Sequence, residues 1–376
     1  EIMKFTVSSS DIFNVTTVAG KIISSKNNEA ILSNFLLEVK DDQLTITSTD
    51  NETTLRSKIA LADAEGEVSV AIPTTITDSL KEFTDQPLNF DINTENMSIS
   101  IKTETGEYKC IGQNGSIYPQ TPAMKEDSFR CTVKASVLLN GINKTGFATS
   151  NEDSRPALTG ILCTFDEKGL TFAATDAHIL ARVIKSENQY SENCQFILPK
   201  KSASILKSIL TNDEEDVEIM ADDTNITFIL ANHTIICRKI EGKFPNYERI
   251  IPQDNPYELI VDRTSLLNSI KRVYSFTGRD TTGLVKLQIT TNKIHLFSQD
   301  LFYNTSGNDS INCQYGGEDI KIGFGAPTLI KILNSMSTKE IKIQLKNPQS
   351  SGIILPLENE PNEDLLILIM PMLINE

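Results

Sequence analysis

The chain has 376 residues, of which 39% are hydrophobic, and its 50 acidic and 35 basic side chains give a formal charge of −15 at pH 7. A single hydrophobic core rarely exceeds roughly 250 residues, so we expect several domains, and the ordinary composition excludes a disordered chain. The acidic balance, taken alone, argues against nucleic-acid binding, which cationic side chains drive.

The N-terminal residues lack the apolar core of a signal peptide, and the sequence contains no run of about 18 apolar residues. We therefore expect a cytoplasmic protein whose natural start is Met3. The six cysteines form no C-x-x-C pair, which favours buried free thiols over disulfides or a metal site; they are Cys110, Cys131, Cys163, Cys194, Cys237 and Cys313. We predict no metal and no cofactor.

The first third of the chain begins with a strand, a polar cap and an amphipathic helix, FTVSSSDIFNVTTVAGKI from Phe5. An alternating strand then leads to TSTDNE, which contains Asp50. A further strand enters a short helix in VAIPTTITDSLKEF, and MSISIKTETGEYKC alternates apolar and polar residues as an antiparallel hairpin does.

The same succession of segments recurs twice. CTVKASVLLNGINKTGFA and LIVDRTSLLNSIKRVYSF repeat the first strand and helix, and Asp176 in AATDAH and Asp300 in LFSQDL repeat Asp50 at intervals of about 125 residues. The sequence therefore predicts an α+β protein of three pseudo-equivalent repeat domains, with antiparallel sheets, at residues 1–125, 126–254 and 255–376.

The basic side chains concentrate in the predicted helices. Five helical regions hold 14 Lys or Arg and no Asp or Glu, namely 12–28, 130–151, 199–212, 263–279 and 324–339. A sixth region, 74–85, is acidic. Such segregation would attract a polyanion to one face of the molecule and repel it elsewhere. The alternative is that these helices simply favour Ser, Thr and Asn.

Four motifs occur in order: RPALTGIL, TDAHILA, EGKFPNYERIIP and MPMLI. Together they resemble the bacterial DNA polymerase III beta subunits, the replicative sliding clamps, and the resemblance covers the chain from Met3 onward. It implies a closed ring of two head-to-tail copies, with helices lining the pore and sheets outside. It also implies a processivity factor that is not an enzyme, encircles duplex DNA and tethers the polymerase.

The resemblance further implies an apolar groove for short Gln/Leu/Phe-type peptides of DNA polymerase III, the clamp loader, and other replication and repair proteins. By position, the groove residues are Leu158, Thr175, His178, Leu180, Pro245, Arg249, Ile250, Leu368, Met370, Pro371 and Met372. The family usually has arginine where this chain has Ile179 and Leu373. We therefore expect a less cationic, more apolar rim.

Seven lysines are expected to face DNA. The resemblance indicates Lys26, Lys200 and Lys201, and the charge pattern adds Lys144, Lys207, Lys271 and Lys331. Tyr274 and Phe276, late in the first helix of the third repeat, are candidates for the interface between subunits. Core packing is the alternative explanation for these two aromatic residues.

Two other functions are compatible with parts of the sequence. Asp176 and His178 could form the acid/base pair of a hydrolase. However, Asp50 and Asp300 occupy the equivalent position without a histidine, which favours a turn or cap role for the aspartate. The second alternative is a monomeric interaction scaffold with no role on DNA, which the molecular mass in solution would separate from a dimeric ring.

Overall fold

The computed structural model describes residues 1–24, 29–277 and 283–374, so Lys26 lies outside the described residues. No helix within these ranges has the length and apolar character needed to cross a membrane. The chain forms two compact units, one from residues 1–139 and 201–239 and the other from residues 140–200 and 240–376.

The elements are numbered in chain order. In the first third they are β1 (Ile2–Ser8), α1 (Ser9–Gly20), β2 (Asn34–Lys40), β3 (Gln43–Thr49), β4 (Thr53–Ala60), β5 (Asp63–Glu65), β6 (Val68–Pro73), α2 (Ile76–Leu80), β7 (Pro87–Asn93), β8 (Ser98–Lys102), β9 (Glu107–Ile111) and β10 (Gln113–Asn114).

The middle third contains β11 (Phe129–Lys134), α3 (Ala135–Thr145), β12 (Gly160–Asp166), β13 (Gly169–Thr175), β14 (Ile179–Lys185), β15 (Cys194–Pro199), α4 (Lys200–Ile209), β16 (Asp216–Ala221), β17 (Asn225–Ile229) and β18 (His233–Arg238). The last third contains β19 (Tyr257–Asp262), α5 (Arg263–Thr277), β20 (Leu284–Thr290), β21 (Lys293–Asp300), β22 (Thr305–Asn312), β23 (Gln314–Tyr315), β24 (Ile320–Gly325), α6 (Ala326–Ser335), β25 (Glu340–Leu345), β26 (Gly352–Pro356) and β27 (Glu363–Ile369).

The predicted threefold repeat is confirmed by strand order. Each repeat has a front half-sheet, which is β6-β2-β3-β4, β15-β12-β13-β14 or β24-β20-β21-β22 in the three repeats. Each also has a back half-sheet, which is β1-β7-β8-β9, β11-β16-β17-β18 or β19-β25-β26-β27. In chain order, one helix follows the first strand of each back half-sheet, and another follows the last strand of each front half-sheet, which is β6, β15 or β24.

Half-sheets of successive repeats join edge to edge. In the first unit, β4 pairs antiparallel with β18, which makes one nine-stranded sheet from two repeats. In the second unit, β14 pairs antiparallel with β27 and makes another. We call these two pairings the first and second seams. The back half-sheet of the first repeat and the front half-sheet of the third belong to separate five- and four-stranded sheets, which leaves β9 and β22 at sheet edges.

The helices and strands follow the predicted patterns, with local differences. Side chains of β1 alternate between exposed and buried, and Phe5 stacks on Phe90 of β7 with ring centroids 4.6 Å apart. Ser8 caps α1 by accepting a hydrogen bond from the Asp11 backbone N–H at 3.4 Å. Because α1 begins at Ser9, it includes Asp11, so this helix is not free of acidic residues as the region 12–28 is.

The six cysteines are free thiols, but the expectation that all are buried is wrong. Cys163 and Cys237 are buried, and the other four are partly exposed. The four lie near the ends or on the outer positions of strands, where one face of the sheet meets solvent.

Candidate functional site

The hairpin turn between β13 and β14 is held by Asp176. Its Oδ1 accepts hydrogen bonds from the backbone N–H groups of His178 at 2.8 Å and Ile179 at 2.9 Å. The hydroxyl of Thr175 donates to the Ile179 carbonyl at 2.6 Å and accepts from the Ala177 N–H. Thr175 is therefore used within the turn, and the side chain of His178 is left exposed at the tip.

Both equivalent aspartates make the same turn. Asp50 accepts from the N–H groups of Glu52 and Thr53, and Asp300 accepts from those of Phe302 and Tyr303, all within 3.1 Å. The turn role expected for the aspartates is thus confirmed by geometry, since Asn and Asp commonly bond to backbone groups two residues onward. This shared role removes the reason to interpret Asp176 as half of a catalytic pair.

The C-terminal tail, residues 370–374, continues from β27 past this turn. Leu368 pairs with Leu180 in the second seam, and the Met370 N–H donates to the His178 carbonyl at 2.9 Å. Met372 then donates to the carbonyl of Gly323 in β24 at 2.8 Å. These bonds hold Met370 beside the exposed His178, with 47% of the Met370 surface accessible to solvent.

A buried apolar cluster supports the neighbouring surface. Leu158 packs with Phe244 and Leu162, and Tyr247 packs against the same cluster. Phe244 and Tyr247 thereby anchor the segment 241–250, whose Tyr247–Ile250 turn is a short 3-10 helix. Neither Phe244 nor Tyr247 is among the groove residues predicted from the sequence, although both aromatic residues stand beside Pro245-Asn246 in the motif EGKFPNYERIIP.

The candidate groove residues therefore fall into two groups. His178, Pro245, Arg249, Ile250 and Met370 are exposed, and Pro371 and Met372 are partly buried. Leu158, Thr175, Leu180 and Leu368 are buried and lie beneath this surface. The expected apolar rim is wrong for Ile179, which is only 4% exposed because its side chain enters the core. Leu373, in contrast, is 84% exposed.

A local ion pair lies beside this surface. Arg155 binds Glu152 at 2.6 Å and lowers the pKa of that carboxyl, and His178 contributes in the same direction. Burial raises the pKa of Tyr247, and the nearby Glu248 raises it further. Around the tip of the β13–β14 turn, the surface is thus apolar with a rim of partly neutralised charge.

The candidate DNA-facing lysines differ in exposure and in their partners. Lys207, Lys271 and Lys331 are exposed, as is Lys200, which donates to the Asn151 side chain at 2.8 Å. Lys201 is partly buried and forms an ion pair with Asp50 at 2.5 Å, so its charge is already balanced.

The prediction that Lys144 faces DNA is wrong. This side chain is 6% exposed, and its Nζ lies 2.5 Å from Glu363 Oε1. Lys185 binds the other oxygen of Glu363 at 2.6 Å, and Glu360 lies 3.5 Å from Lys144. A buried carboxylate held by two ammonium groups is satisfied within the protein, so Lys144 joins α3 to β27 and is not available to phosphate.

Phe276 is 67% exposed, which contradicts core packing for this residue, whereas Tyr274 is partly buried. No group of three or more His, Cys, Asp or Glu side chains suited to a metal ion occurs in the described part of the chain.

Comparisons with known proteins agree along the whole chain. Three family models match, described as the N-terminal, central and C-terminal domains of the DNA polymerase III beta subunit, at residues 3–122, 132–246 and 248–373. The beta sliding clamp of Pseudomonas putida is 25% identical over 98% of this chain and 100% of its own length. That of Staphylococcus aureus is 24% identical over 99% of each chain.

Solved structures show the same fold. A sliding clamp of Pseudomonas aeruginosa bound to griselimycin superposes with a TM-score of 0.92 at 22% identity, covering 100% of both chains. The sliding clamp of Bacillus subtilis gives a TM-score of 0.91 at 24% identity, again over 100% of both chains.

Proposed function

The chain belongs to the DNA polymerase III beta subunit family, the sliding clamps, and we propose how its own residues form the ring, the partner groove and the DNA path. A sliding clamp is a processivity factor: it encircles duplex DNA and tethers the replicative polymerase and other DNA-processing proteins through a hydrophobic groove. Tethering raises the effective concentration of the polymerase at the primer end.

The two seams carry the proposal of a dimeric ring. In both, the third strand of a front half-sheet, counted in chain order, pairs with the fourth strand of the back half-sheet of the next repeat, β4 with β18 and β14 with β27. Within the described residues, the equivalent strands β22 and β9 lie at sheet edges and have no such partner. A third seam between β22 of one copy and β9 of a second copy satisfies both edges. Two such seams close a head-to-tail ring of two copies.

The register of the third seam follows from the other two. Thr53 pairs with Cys237 in the first seam, and Ile179 pairs with Ile369 in the second. The strand pairing within each half-sheet identifies the equivalent residues of the third seam. Thr305 of β22 corresponds to Thr53 and Ile179, and Cys110 of β9 corresponds to Cys237 and Ile369. Thr305 should therefore lie opposite Cys110 of the partner subunit.

Two residues further along the same register, Gly307 lies opposite Tyr108 of the partner subunit. A Cβ on Gly307 would meet the backbone of Val273 in α5 at 2.7 Å, so this face of β22 is turned toward α5. Because cross-strand neighbours share a face, the half-exposed Tyr108 of the partner subunit would lie on the α5 side in this register, where Phe276 is exposed. This supports Phe276, with Tyr274, as part of the interface.

The groove proposal rests on the Met370–His178 contact beside an apolar surface. Met370, Pro371, Met372, Pro245 and Ile250 would contact apolar anchors of a short Gln/Leu/Phe-type peptide. The remaining groove residues, Leu158, Thr175, Leu180 and Leu368, would support them from below, with His178 and Arg249 at the rim. Methionine side chains adapt to differently shaped anchors, which suits a groove shared by several partners.

For DNA, we propose weak phosphate contacts by Lys200, Lys207, Lys271 and Lys331 on helices α4, α5 and α6. Lys201 would contribute less because Asp50 neutralises it, and Lys26 stays a prediction. Sequence-independent contacts of this kind allow sliding.

We further propose that the protein performs no chemistry, acts in the cytoplasm, and is divided into repeat domains at residues 1–125, 126–254 and 255–376.

The test is topological retention on DNA. The protein is loaded by its clamp loader onto nicked circular plasmid, and the DNA-bound fraction is isolated by gel filtration before and after the plasmid is linearised. We expect retention on the circle and loss from the linear form, because a closed ring can only slide off an end. Equal retention on both forms would mean ordinary surface binding and would contradict encirclement.

A further inference from the structure

The hairpin turn of the third repeat is longer than its two counterparts. The residues that flank the turn pair as Thr49 with Thr54 and Thr175 with Leu180 in the first two repeats. In the third repeat, the residue that directly precedes the turn aspartate is Gln299, and it pairs with Ser306. The third turn therefore contains two more residues than the others.

The extended tip is strongly apolar. Leu301 is 84% exposed, Phe302 is 87% exposed and Tyr303 is 51% exposed, and the rings of Phe302 and Tyr303 pack edge to face with centroids 4.9 Å apart. Asp300 fixes the backbone by accepting from the N–H groups of both aromatic residues. The same turn carries Asn51-Glu52 in the first repeat and Ala177-His178 in the second. A contiguous exposed apolar group of this size marks an interaction surface.

The first two seams show what such a turn contacts. In the first seam, Arg238 follows Cys237, the last paired residue of β18. Its N–H donates to the Glu52 carbonyl in the turn at 2.8 Å. In the second seam, Met370 makes the same bond to His178 at 2.9 Å. In the third seam the equivalent pair is Asn304 and Ile111 of the partner subunit.

Ile111 is 74% exposed, and Ile117, which follows it on the same segment, is 56% exposed. The first seam uses opposite charges at this position, since the side chains of Arg238 and Glu52 lie 4.0 Å apart. In the third seam, Ile111 on one side, and Leu301, Phe302 and Tyr303 just before Asn304 on the other, are apolar and exposed in the single chain. Apolar groups on two surfaces that a repeat rule brings together are complementary.

We propose that the tip Leu301-Phe302-Tyr303 is an apolar latch that closes the ring by packing against Ile111 of the partner subunit. The latch rests on the proposed dimeric ring and adds to it a contact that the other two seams lack. Its occupant is a second copy of this chain. In a ring of two copies the latch occurs twice, so any change in its strength acts twice on the dimer.

The tip also borders a cavity of about 370 Å³ that Met372 and Leu373 of the tail line from the other side. A partner peptide lying in that cavity is the competing occupant. A peptide site and a latch respond to the same substitution in different measurements, peptide affinity for the first and the dimer dissociation constant for the second.

The test compares the parent with Leu301→Ser/Phe302→Ser by sedimentation equilibrium and by calorimetric titration of a Gln-x-x-Leu-Phe peptide. We expect the dimer dissociation constant to rise at least about 100-fold, because two apolar side chains lose their burial in each of two seams. Peptide affinity should stay unchanged. Ile111→Ser should also weaken the dimer, and its combination with Phe302→Ser should cost less than the two single effects added together.

Ile250→Ser is the matched control for the dimer measurement alone, since Ile250 is 57% exposed but belongs to the proposed groove and not to the third seam. It should leave the dimer unchanged and weaken peptide binding. An unchanged dimer in the Leu301/Phe302 variant would overturn the latch, and a loss of peptide affinity in that variant would assign the tip to the cavity instead. A parent chain that stays monomeric would overturn the ring itself, which is a different outcome from the failure of the latch.

Discussion

At the scale of single residues, equivalent positions of the three repeats share backbone roles and differ in what they present. Asp50, Asp176 and Asp300 make one kind of turn, but the tips carry charge, a histidine and a Leu-Phe pair respectively. The backbone role depends on a short carboxylate that reaches N–H groups two and three residues onward. The tip side chain is free to vary, and it gives each seam its own contacts.

Glu363 is the strongest single-residue determinant of stability that we identify. It is 1% exposed and balances both Lys144 and Lys185. Replacing it by glutamine leaves the buried Lys185 without its counter-charge and leaves Lys144 with only the half-exposed Glu360 at 3.5 Å. We therefore expect Glu363→Gln to lower the free energy of unfolding by about 3–5 kcal/mol. Urea denaturation measures this loss.

Asp254→Asn is the control for Glu363. Asp254 binds Lys346 at 2.5 Å, but the carboxylate is 71% exposed, so removing its charge should have little effect. If the two variants were equally stable, the buried group would contribute no more than a surface pair.

His233 provides a dependence of stability on pH. Its Nδ1 lies 2.8 Å from the Ser57 hydroxyl in the first seam, and burial lowers its pKa below the ordinary value of 6.5 although Glu215 opposes the shift. The unfolded chain therefore binds a proton at a higher pH than the folded chain. Stability from this group is present above pH 6.5, is lost as the pH falls below 6.5, and stops falling below the folded pKa.

We expect His233→Asn to abolish this component, because asparagine can keep the bond to Ser57 without titrating. The free energies of unfolding of parent and variant are measured from about pH 7.5 to about pH 5. The difference between them should become smaller as the pH falls, because only the parent loses stability through protonation of His233. A difference between the two proteins that does not vary with pH would show that His233 has the same pKa folded and unfolded.

At the scale of elements, the second seam connects stability to the groove. Strand β27 begins at the buried Glu363, pairs with β14 over its length, and ends where the tail meets His178. The tail is short and is held by two backbone bonds, to His178 and to Gly323. A rigid strand therefore positions a small, exposed apolar segment.

Removing residues 370–376 should abolish binding of a Gln-x-x-Leu-Phe peptide measured by calorimetry. The truncation removes Met370, Pro371 and Met372, which supply most of the proposed apolar contacts, and apolar anchors account for most of the affinity of small interfaces. A shorter truncation that removes only residues 375–376 is the control and should bind as the parent does. Peptide binding that survives the longer truncation would exclude the tail from the groove.

At the scale of the whole molecule, the repeat rule limits how the chain can assemble. Edge strands invite pairing, and here both β9 and β22 have exposed apolar neighbours, which in a monomer would favour aggregation. Pairing each with the other in a second copy leaves neither edge open. The formal charge of −15 then keeps the assembled protein soluble and repels DNA from surfaces without exposed lysines.

Phe276→Asp should convert the dimer to a chain of 41.7 kDa in light scattering, because a carboxylate would be buried against the partner without a counter-ion. Peptide binding should persist, since the groove lies elsewhere on the molecule. Asn268→Asp, on an exposed position earlier in α5, adds the same charge away from the proposed contact and should leave the dimer intact. A dimeric Phe276→Asp protein would remove α5 from the interface.

The sequence by itself determined the repeated elements, the α+β class and the aspartate turns. These features depend on contacts between residues near one another in the chain, and periodicity and turn chemistry report such contacts directly. The tail was also recognisable, because its MPMLI motif is local. Charge segregation was visible as well, but only as a property of segments.

Tertiary structure decided which strands join, which charges are neutralised and which side chains stay exposed. Nothing in the sequence near Lys144 indicates Glu363, which lies 219 residues away, and the neighbouring charge pattern suggested the opposite role. Ile179 and Phe276 differ in burial, although both are apolar residues at the end of an element. Burial and pairing depend on strands brought together from distant parts of the chain, and this is why the seams, the groove and the open edges could be identified only in the folded protein.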